Sequence, residues 1–138
     1  MDTPLPAKPR PKIDPVNRGF WENCAKGILS VQRCEDCGDL HFPPSPVCPR
    51  CLSSRQSWVP VSGRGTLKSW VRFHRAYWDS FRADLPYLVC LVTLEEGPLM
   101  ISNFMGDVPA EPLIGAPVEV VFDRIDDELT LPKFRLRG

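Results

Sequence analysis

Four of the six cysteines fall into two pairs, Cys34-x2-Cys37 and Cys48-x2-Cys51, with ten residues between the pairs. Two residues between cysteines let both thiolates of one tight turn point at a single ion. Zinc accepts four sulfurs tetrahedrally at about 2.3 Å and has no directional electronic preference. Two such turns close the tetrahedron and leave no open position, so the expectation is one structural Zn2+ with no chemistry of its own. Metal binding and folding are then a single event, worth on the order of 10–16 kcal/mol in small zinc modules. A ribbon of about 30 residues has too little core to fold without that contribution.

The competing use of paired cysteines is disulfides in a secreted protein. The stretch Met1 to Lys12 is proline-rich with no apolar signal-like run, so the cytosol is the expected compartment and metal the expected use. His41 lies between the pairs and is an alternative ligand, but four cysteines already satisfy the ion. Four thiolates around one zinc sum to a charge of about −2, which Arg33, Arg50 and Arg55 are close enough in sequence to offset. Gly38 follows the first pair, where a positive φ is often wanted. Leu52 holds the equivalent place after the second, and a differently shaped second knuckle is expected there.

Other candidate chemistry is sparse. Cys90 sits in an apolar run, Leu88-Val89-Cys90-Leu91-Val92, and reads as an inert buried thiol; Cys24 lies on a helix face. Neither has a histidine tied to it by spacing, so no catalytic residue is assigned. There is no Gly-rich phosphate loop and no defensible carboxylate pair. Period-two alternation from Leu67 sets Leu67, Ser69, Val71 and Phe73 on one side of a strand as core. Lys68, Trp70, Arg72 and His74 take the other side as a cationic and aromatic surface. Such a surface could stack an adenine or single-stranded bases and pair a phosphate, or be an ordinary solvent face. The segment from Arg75 to Leu85 brings Tyr77, Trp78 and Phe81 to helical spacing. That aromatic density is typical of interface anchors; the plainer use is a short helix capping a barrel.

These residues need elements to hold them. Residues 1–15 carry five prolines and read as an extended tail, either solvated or docked on a partner. Residues 16–30 form an N-terminal helical segment. Asp14 is the expected N-cap, Pro15 the first helical position and Gly27 the stop. Residues 31–58 make the zinc ribbon, and across 28–58 short extended pieces are expected at Ile28–Gln32 and Leu40–Phe42. Residues 59–138 carry five strand-like runs, near Thr66–His74, Tyr87–Leu94, Leu99–Phe104, Val118–Phe122 and Leu131–Leu136. Turn signals such as Glu95-Glu96-Gly97-Pro98 separate them. The fold class is therefore mainly β: a short helix, a rubredoxin-like ribbon, then a five-stranded barrel, for which the OB-fold is the commonest solution.

Composition sets the remaining bounds. Hydrophobic residues make up 43% of 138, enough for a core, and no apolar run is long enough to span a membrane. Formal net charge is zero, where a protein held on nucleic acid by phosphate contacts shows a basic excess.

The ordered set of features resembles a known family. Phe20-Trp21 leads to Gln32-Arg33-Cys34-x2-Cys37-Gly38, then Phe42-Pro43-Pro44 and Cys48-Pro49-x-Cys51. Trp58, Gly63-Arg-Gly-Thr66, Pro86-Tyr87, Ile114-Gly115 and Leu131-Pro132-x-Phe134 follow. From about residue 17 to 136 this resembles the zinc-ribbon plus OB-fold acyl-CoA-associated family, long catalogued as a domain of unknown function. The resemblance implies a non-catalytic accessory subunit of a thiolase-superfamily enzyme, of thiolase, acyltransferase or aldolase type. Such a subunit sits in a hetero-oligomer and helps form the channel for acyl-CoA. Only the zinc cysteines carry over residue by residue. On this reading Arg72 and Arg75 are candidates to meet coenzyme A phosphates. The alternative is a single-stranded nucleic-acid-binding module using Lys68, Trp70 and Arg72, against which the neutral charge counts.

Overall fold

A computed structural model of the chain describes residues 8–137. One helix, α1 (Arg18–Ala25), precedes a small antiparallel sheet of β1 (Ser30–Cys34), β2 (Leu40–His41) and β3 (Gln56–Pro60), in the order β2-β1-β3. A second sheet holds β4 (Arg64–Phe73), β5 (Tyr87–Leu94), β6 (Leu99–Asn103), β7 (Pro117–Arg124) and β8 (Thr130–Leu136), in the order β6-β5-β4-β7-β8. The two edges of this sheet approach each other. Phe104 bridges Phe134 in parallel, and the Met105 N–H donates to the Phe134 carbonyl at 2.8 Å. That contact nearly closes a five-stranded barrel, the architecture expected from the strand count.

The helix starts later than its sequence signals suggest. The Asp14 carboxylate accepts from the backbone N–H groups of Val16 and Asn17, both at 2.9 Å. It therefore caps a turn one step early, and Asn17 occupies the N-cap of α1. Gly27, at φ +76, ends the helix as expected. The strand β3 carries no alternation that could announce it: its residues Gln56 to Val59 are all partly buried. It is defined by pairing with β1, from Ser30 opposite Pro60 to Cys34 opposite Gln56.

The first barrel strand requires a correction. β4 begins at Arg64, and its pairing with β5 slips between Leu67 and Ser69, where Lys68 is the extra residue of a bulge. A bulge inserts one residue and reverses the alternation beyond it. Leu67 opposes Val92 and points inward. Past the bulge Trp70 opposes Cys90, so the indole packs against the core. Val71 and Phe73 oppose Val89 and Tyr87 and face outward. Val71 is 52% exposed, not core. Gly65 is required at the start of this strand, because a Cβ there would lie 2.4 Å from the Thr93 carbonyl oxygen.

A single hydrophobic cluster runs through ribbon and barrel. Phe20, Cys24, Leu29 and Val31 pack in it with Leu67, Val92, Met100, Val118 and Phe134. Phe20 is its joint: its ring lies 5.0 Å from Trp21, 5.3 Å from Phe42 and 6.2 Å from Trp58. Of the proline-rich tail, residues 1–7 lie outside the described residues. Lys8 pairs with Asp84 at 2.6 Å, and Arg10 reaches Asp126 at 2.8 Å.

Candidate functional site

The two cysteine pairs converge. The sulfurs of Cys34, Cys37, Cys48 and Cys51 all lie within 4.8 Å of one another. Cys34 Sγ is 3.5 Å from Cys51 Sγ, and Cys37 Sγ is 3.6 Å from Cys48 Sγ. A tetrahedron with metal–sulfur bonds near 2.3 Å has edges of about 3.8 Å, so the set fits one zinc ion. All four thiols are free rather than paired as disulfides. Cys34 and Cys48 are buried while Cys37 and Cys51 are exposed, so each knuckle contributes one inner and one outer ligand.

Backbone geometry makes the two knuckles equivalent. In the first, Gly38 N–H donates to the Cys34 carbonyl at 2.9 Å and Cys34 N–H to Asp39 at 2.9 Å. In the second, Leu52 N–H donates to Cys48 at 2.8 Å and Cys48 N–H to Ser53 at 2.8 Å. Gly38 has φ +77 and Leu52 φ +67. The expectation of a differently shaped second knuckle is therefore corrected. Leu52 adopts the left-handed turn at the cost of its Cβ, and its side chain is 73% exposed.

Backbone N–H groups face the two inner sulfurs. The N–H groups of Cys37 and Asp36 face the Cys34 sulfur and hold its thiol down at about 7 against its burial. Arg50 N–H donates to Cys48 Sγ at 3.3 Å. Arg55 is instead engaged with Asp36 at 3.0 Å. His41 sits beside the cluster with its Nε2 on Gln32 Oε1 at 3.1 Å, while its buried Nδ1, 3.4 Å from Asp39, makes no hydrogen bond. Gln32, only 6% exposed, is the residue that sequence reasoning missed. It accepts from Ser45 N–H at 2.8 Å and donates to the Ser45 carbonyl at 3.1 Å, pinning the proline-rich turn between the cysteine pairs. A polar residue in a strand gives no warning of this, since its partner is thirteen residues away.

The remaining candidates separate. Trp70 and Arg72 stay together, with the guanidinium 5.3 Å from the indole centroid. Trp70 Nε1 donates to the Pro112 carbonyl at 2.8 Å. Lys68 stands in the bulge and His74 lies beyond the strand end, so these four do not form one outward face. The ring that a stacking platform would need is packed against the core. The segment after His74 forms a 3-10 helix, Asp79–Asp84. Its aromatics join the barrel: Phe81 lies 5.7 Å from Tyr87, which itself stacks on Phe73 of β4 at 5.1 Å, and Trp78 lies 6.3 Å from Phe81. Tyr77 and Trp78 remain 65% and 58% exposed, with Arg75 over the Tyr77 ring at 5.4 Å. Cys24 and Cys90 are fully buried, and burial pushes their thiols up to about 12 and about 11, which removes them as nucleophiles.

Residues 21–56 match the family described as ChsH2, rubredoxin-like zinc ribbon domain, and residues 58–123 match ChsH2, C-terminal OB-fold domain. A DUF35 domain-containing scaffold protein of Pyrococcus furiosus is 34% identical over 123 residues, covering 86% of this chain and 89% of that protein. The chain belongs to the DUF35 family. Its zinc ribbon is thus a family feature as well as a geometric fit, and the ion it holds is structural. A probable enoyl-CoA hydratase alpha subunit of Thermomonospora curvata is 37% identical over 132 residues, 96% of this chain; the chain spans 41% of that longer relative. A solved chain described as Ltp2-ChsH2(DUF35) aldolase superposes with a TM-score of 0.81 at 37% identity, covering 92% of this chain and 98% of that one. Among the described residues no helix is long and apolar enough to cross a membrane.

Proposed function

We propose that this DUF35 chain is a non-catalytic accessory subunit that docks on a thiolase-superfamily enzyme acting on acyl-CoA or an acyl-derived substrate. The observation that carries the reading is the likeness, at 37% identity and over 98% of its length, to the solved chain described as Ltp2-ChsH2(DUF35) aldolase. The description of the Thermomonospora relative as an alpha subunit points the same way, toward a hetero-oligomer.

The chemistry of the chain agrees with a supporting role. The four-cysteine site offers four thiolates and no open position, so the ion it holds has no coordination site for a substrate or an activated water. Its two buried thiols are held protonated, and the His41 Nε2 is engaged by Gln32. The zinc-held ribbon shares a core with the barrel and gives a rigid body on which an enzyme can rest. The aromatic arm at Tyr77, Trp78 and Phe81 supplies adhesion, while Arg72 and Arg75 stand as candidates for coenzyme A phosphates. The partner supplies the nucleophile, and the complex works in the cytosol.

The test is co-expression with the product of the neighbouring gene, expected to be a thiolase-superfamily enzyme. Co-elution as one complex, with turnover that depends on the chain, is expected. Separate elution together with no acyl-CoA binding would overturn the reading. An oligonucleotide titration at two salt concentrations checks the alternative: tight, steeply salt-dependent binding would favour a nucleic-acid module instead.

A further inference from the structure

The two knuckles are joined by sulfur contacts that cross from one to the other, and each contact sets an exposed thiol against a buried one. Cys51 Sγ, on the exposed side, lies 3.5 Å from the buried Cys34 Sγ, and Cys37 Sγ, also exposed, lies 3.6 Å from the buried Cys48 Sγ. A cysteine that holds zinc is a thiolate, the form that attacks oxidants and disulfides. An accessible thiolate with a second sulfur beside it is the arrangement of an oxidant-sensing pair: the outer sulfur meets the oxidant and the inner one resolves it. The flanking residues leave the outer sulfurs open. Gly38, next to Cys37, has no atom within 4 Å of where a Cβ would stand, and Leu52, next to Cys51, turns its own side chain into solvent. Cys24 and Cys90 provide the contrast within the same chain. Both are fully buried in the apolar core, where burial holds them protonated.

We propose that the four-cysteine site is also a modification site for a peroxide, which closes two cross-knuckle disulfides, Cys37–Cys48 and Cys34–Cys51, and expels the metal. The exposed thiolate attacks a peroxide oxygen; the O–O bond breaks, a sulfenic acid forms, and the departing hydroxide takes a proton to become water. The buried thiolate across the knuckles then attacks the sulfenic sulfur; the S–S bond forms, the S–O bond breaks, and the second hydroxide leaves as water. Each sulfur gives up one electron and the peroxide gains two, so one peroxide closes one disulfide. Closing each contact to a disulfide length of about 2.05 Å needs a sulfur movement of about 1.5 Å. With all four sulfurs spent, no ligand remains for the ion. The loop closed by Cys37 and Cys48 nests inside that closed by Cys34 and Cys51, so both knuckles stay tethered and the change is reversible by a dithiol and fresh zinc. Val31 of β1 sits in the core shared with the barrel, so loss of the metal-coupled folding energy reaches beyond the ribbon. The proposal stands apart from the accessory-subunit reading, because it concerns the chain alone.

The test treats the zinc-loaded full chain with hydrogen peroxide. Zinc release is followed with a chromophoric chelator, and the cross-links are mapped by mass spectrometry. Cleavage after arginine and after acidic residues leaves Cys34, Cys37, Cys48 and Cys51 on four separate fragments, so every pairing is distinguishable. The expected result is complete loss of zinc at about two peroxides per ion. Fragments should be joined Cys37 to Cys48 and Cys34 to Cys51, with Cys24 and Cys90 still reduced, and a dithiol with added zinc should restore the metal. Zinc retained at a peroxide excess that oxidises glutathione would overturn the proposal. So would disulfides within the knuckles, Cys34–Cys37 and Cys48–Cys51, or zinc lost only with irreversible sulfinic acids. Because every readout is on the isolated chain, these failures leave the accessory reading standing, and a chain that binds no enzyme leaves the peroxide site standing.

Discussion

Leu52 offers a sharp check on the zinc-knuckle reasoning. It holds φ +67 at the place where the first knuckle uses Gly38 at φ +77. A non-glycine residue in the left-handed region costs roughly 1–2 kcal/mol. Replacing it with glycine removes that cost but adds unfolded-state entropy worth about 0.5–1 kcal/mol. The side chain itself is 73% exposed and contributes little packing. Leu52→Gly is therefore expected to stabilise the chain by about 0.5–1 kcal/mol, or a rise in midpoint of about 2–4 °C for a domain of this size. Because ribbon folding is coupled to metal binding, the same gain appears as a zinc affinity higher by a factor of about 2–5. The reciprocal change, Gly38→Ala, is expected to lower both by more than about 1 kcal/mol, even though no atom lies within 4 Å of the added Cβ. Thermal unfolding and competition with a chromophoric chelator measure the two quantities. The reasoning is refuted if Leu52→Gly destabilises the chain, or if Gly38→Ala is neutral.

Two further outcomes follow from the shared core and the buried thiols. Phe20 is 3% exposed and joins helix, ribbon and barrel. Phe20→Ala is expected to cost about 3–5 kcal/mol and to advance zinc release and barrel unfolding together in the same melt; zinc lost well before the barrel unfolds would contradict a single core. Burial pushes Cys24 and Cys90 from the ordinary thiol value of 9.0 up to about 12 and about 11, so the folded state holds these protons more tightly than the unfolded one. Their contribution is complete below pH 9 and is lost as pH rises toward 11–12. Between pH 8 and pH 10 the chain should lose about 1.4 kcal/mol per thiol. Denaturant titrations of a Cys24→Ala, Cys90→Ala double variant should show a correspondingly shallower alkaline slope, and an unchanged slope would refute the assignment.

What the sequence by itself determined is local or carried by short periods. The four zinc ligands are legible because two residues between thiolates are a geometric requirement of one ion, independent of everything around them. The helix stop at Gly27 and the runs of β5 to β8 are legible because caps and alternation act within a few residues. The tertiary structure decided what depends on a partner strand. β3 exists by pairing with β1 and has no buried face of its own to announce it. Leu52 looks like a departure in sequence, yet hydrogen bonds to Cys48 impose the same turn that Gly38 adopts freely. Gln32 acts on Ser45 across the proline-rich turn. Above all, the bulge at Lys68 is a mismatch between β4 and β5, and neither strand records it alone. That one unpaired residue carries Trp70 onto the core and turns Val71 and Phe73 outward. It decides which residues the outside of the barrel carries, because a strand's alternation tells which residues share a face only as long as its register is unbroken.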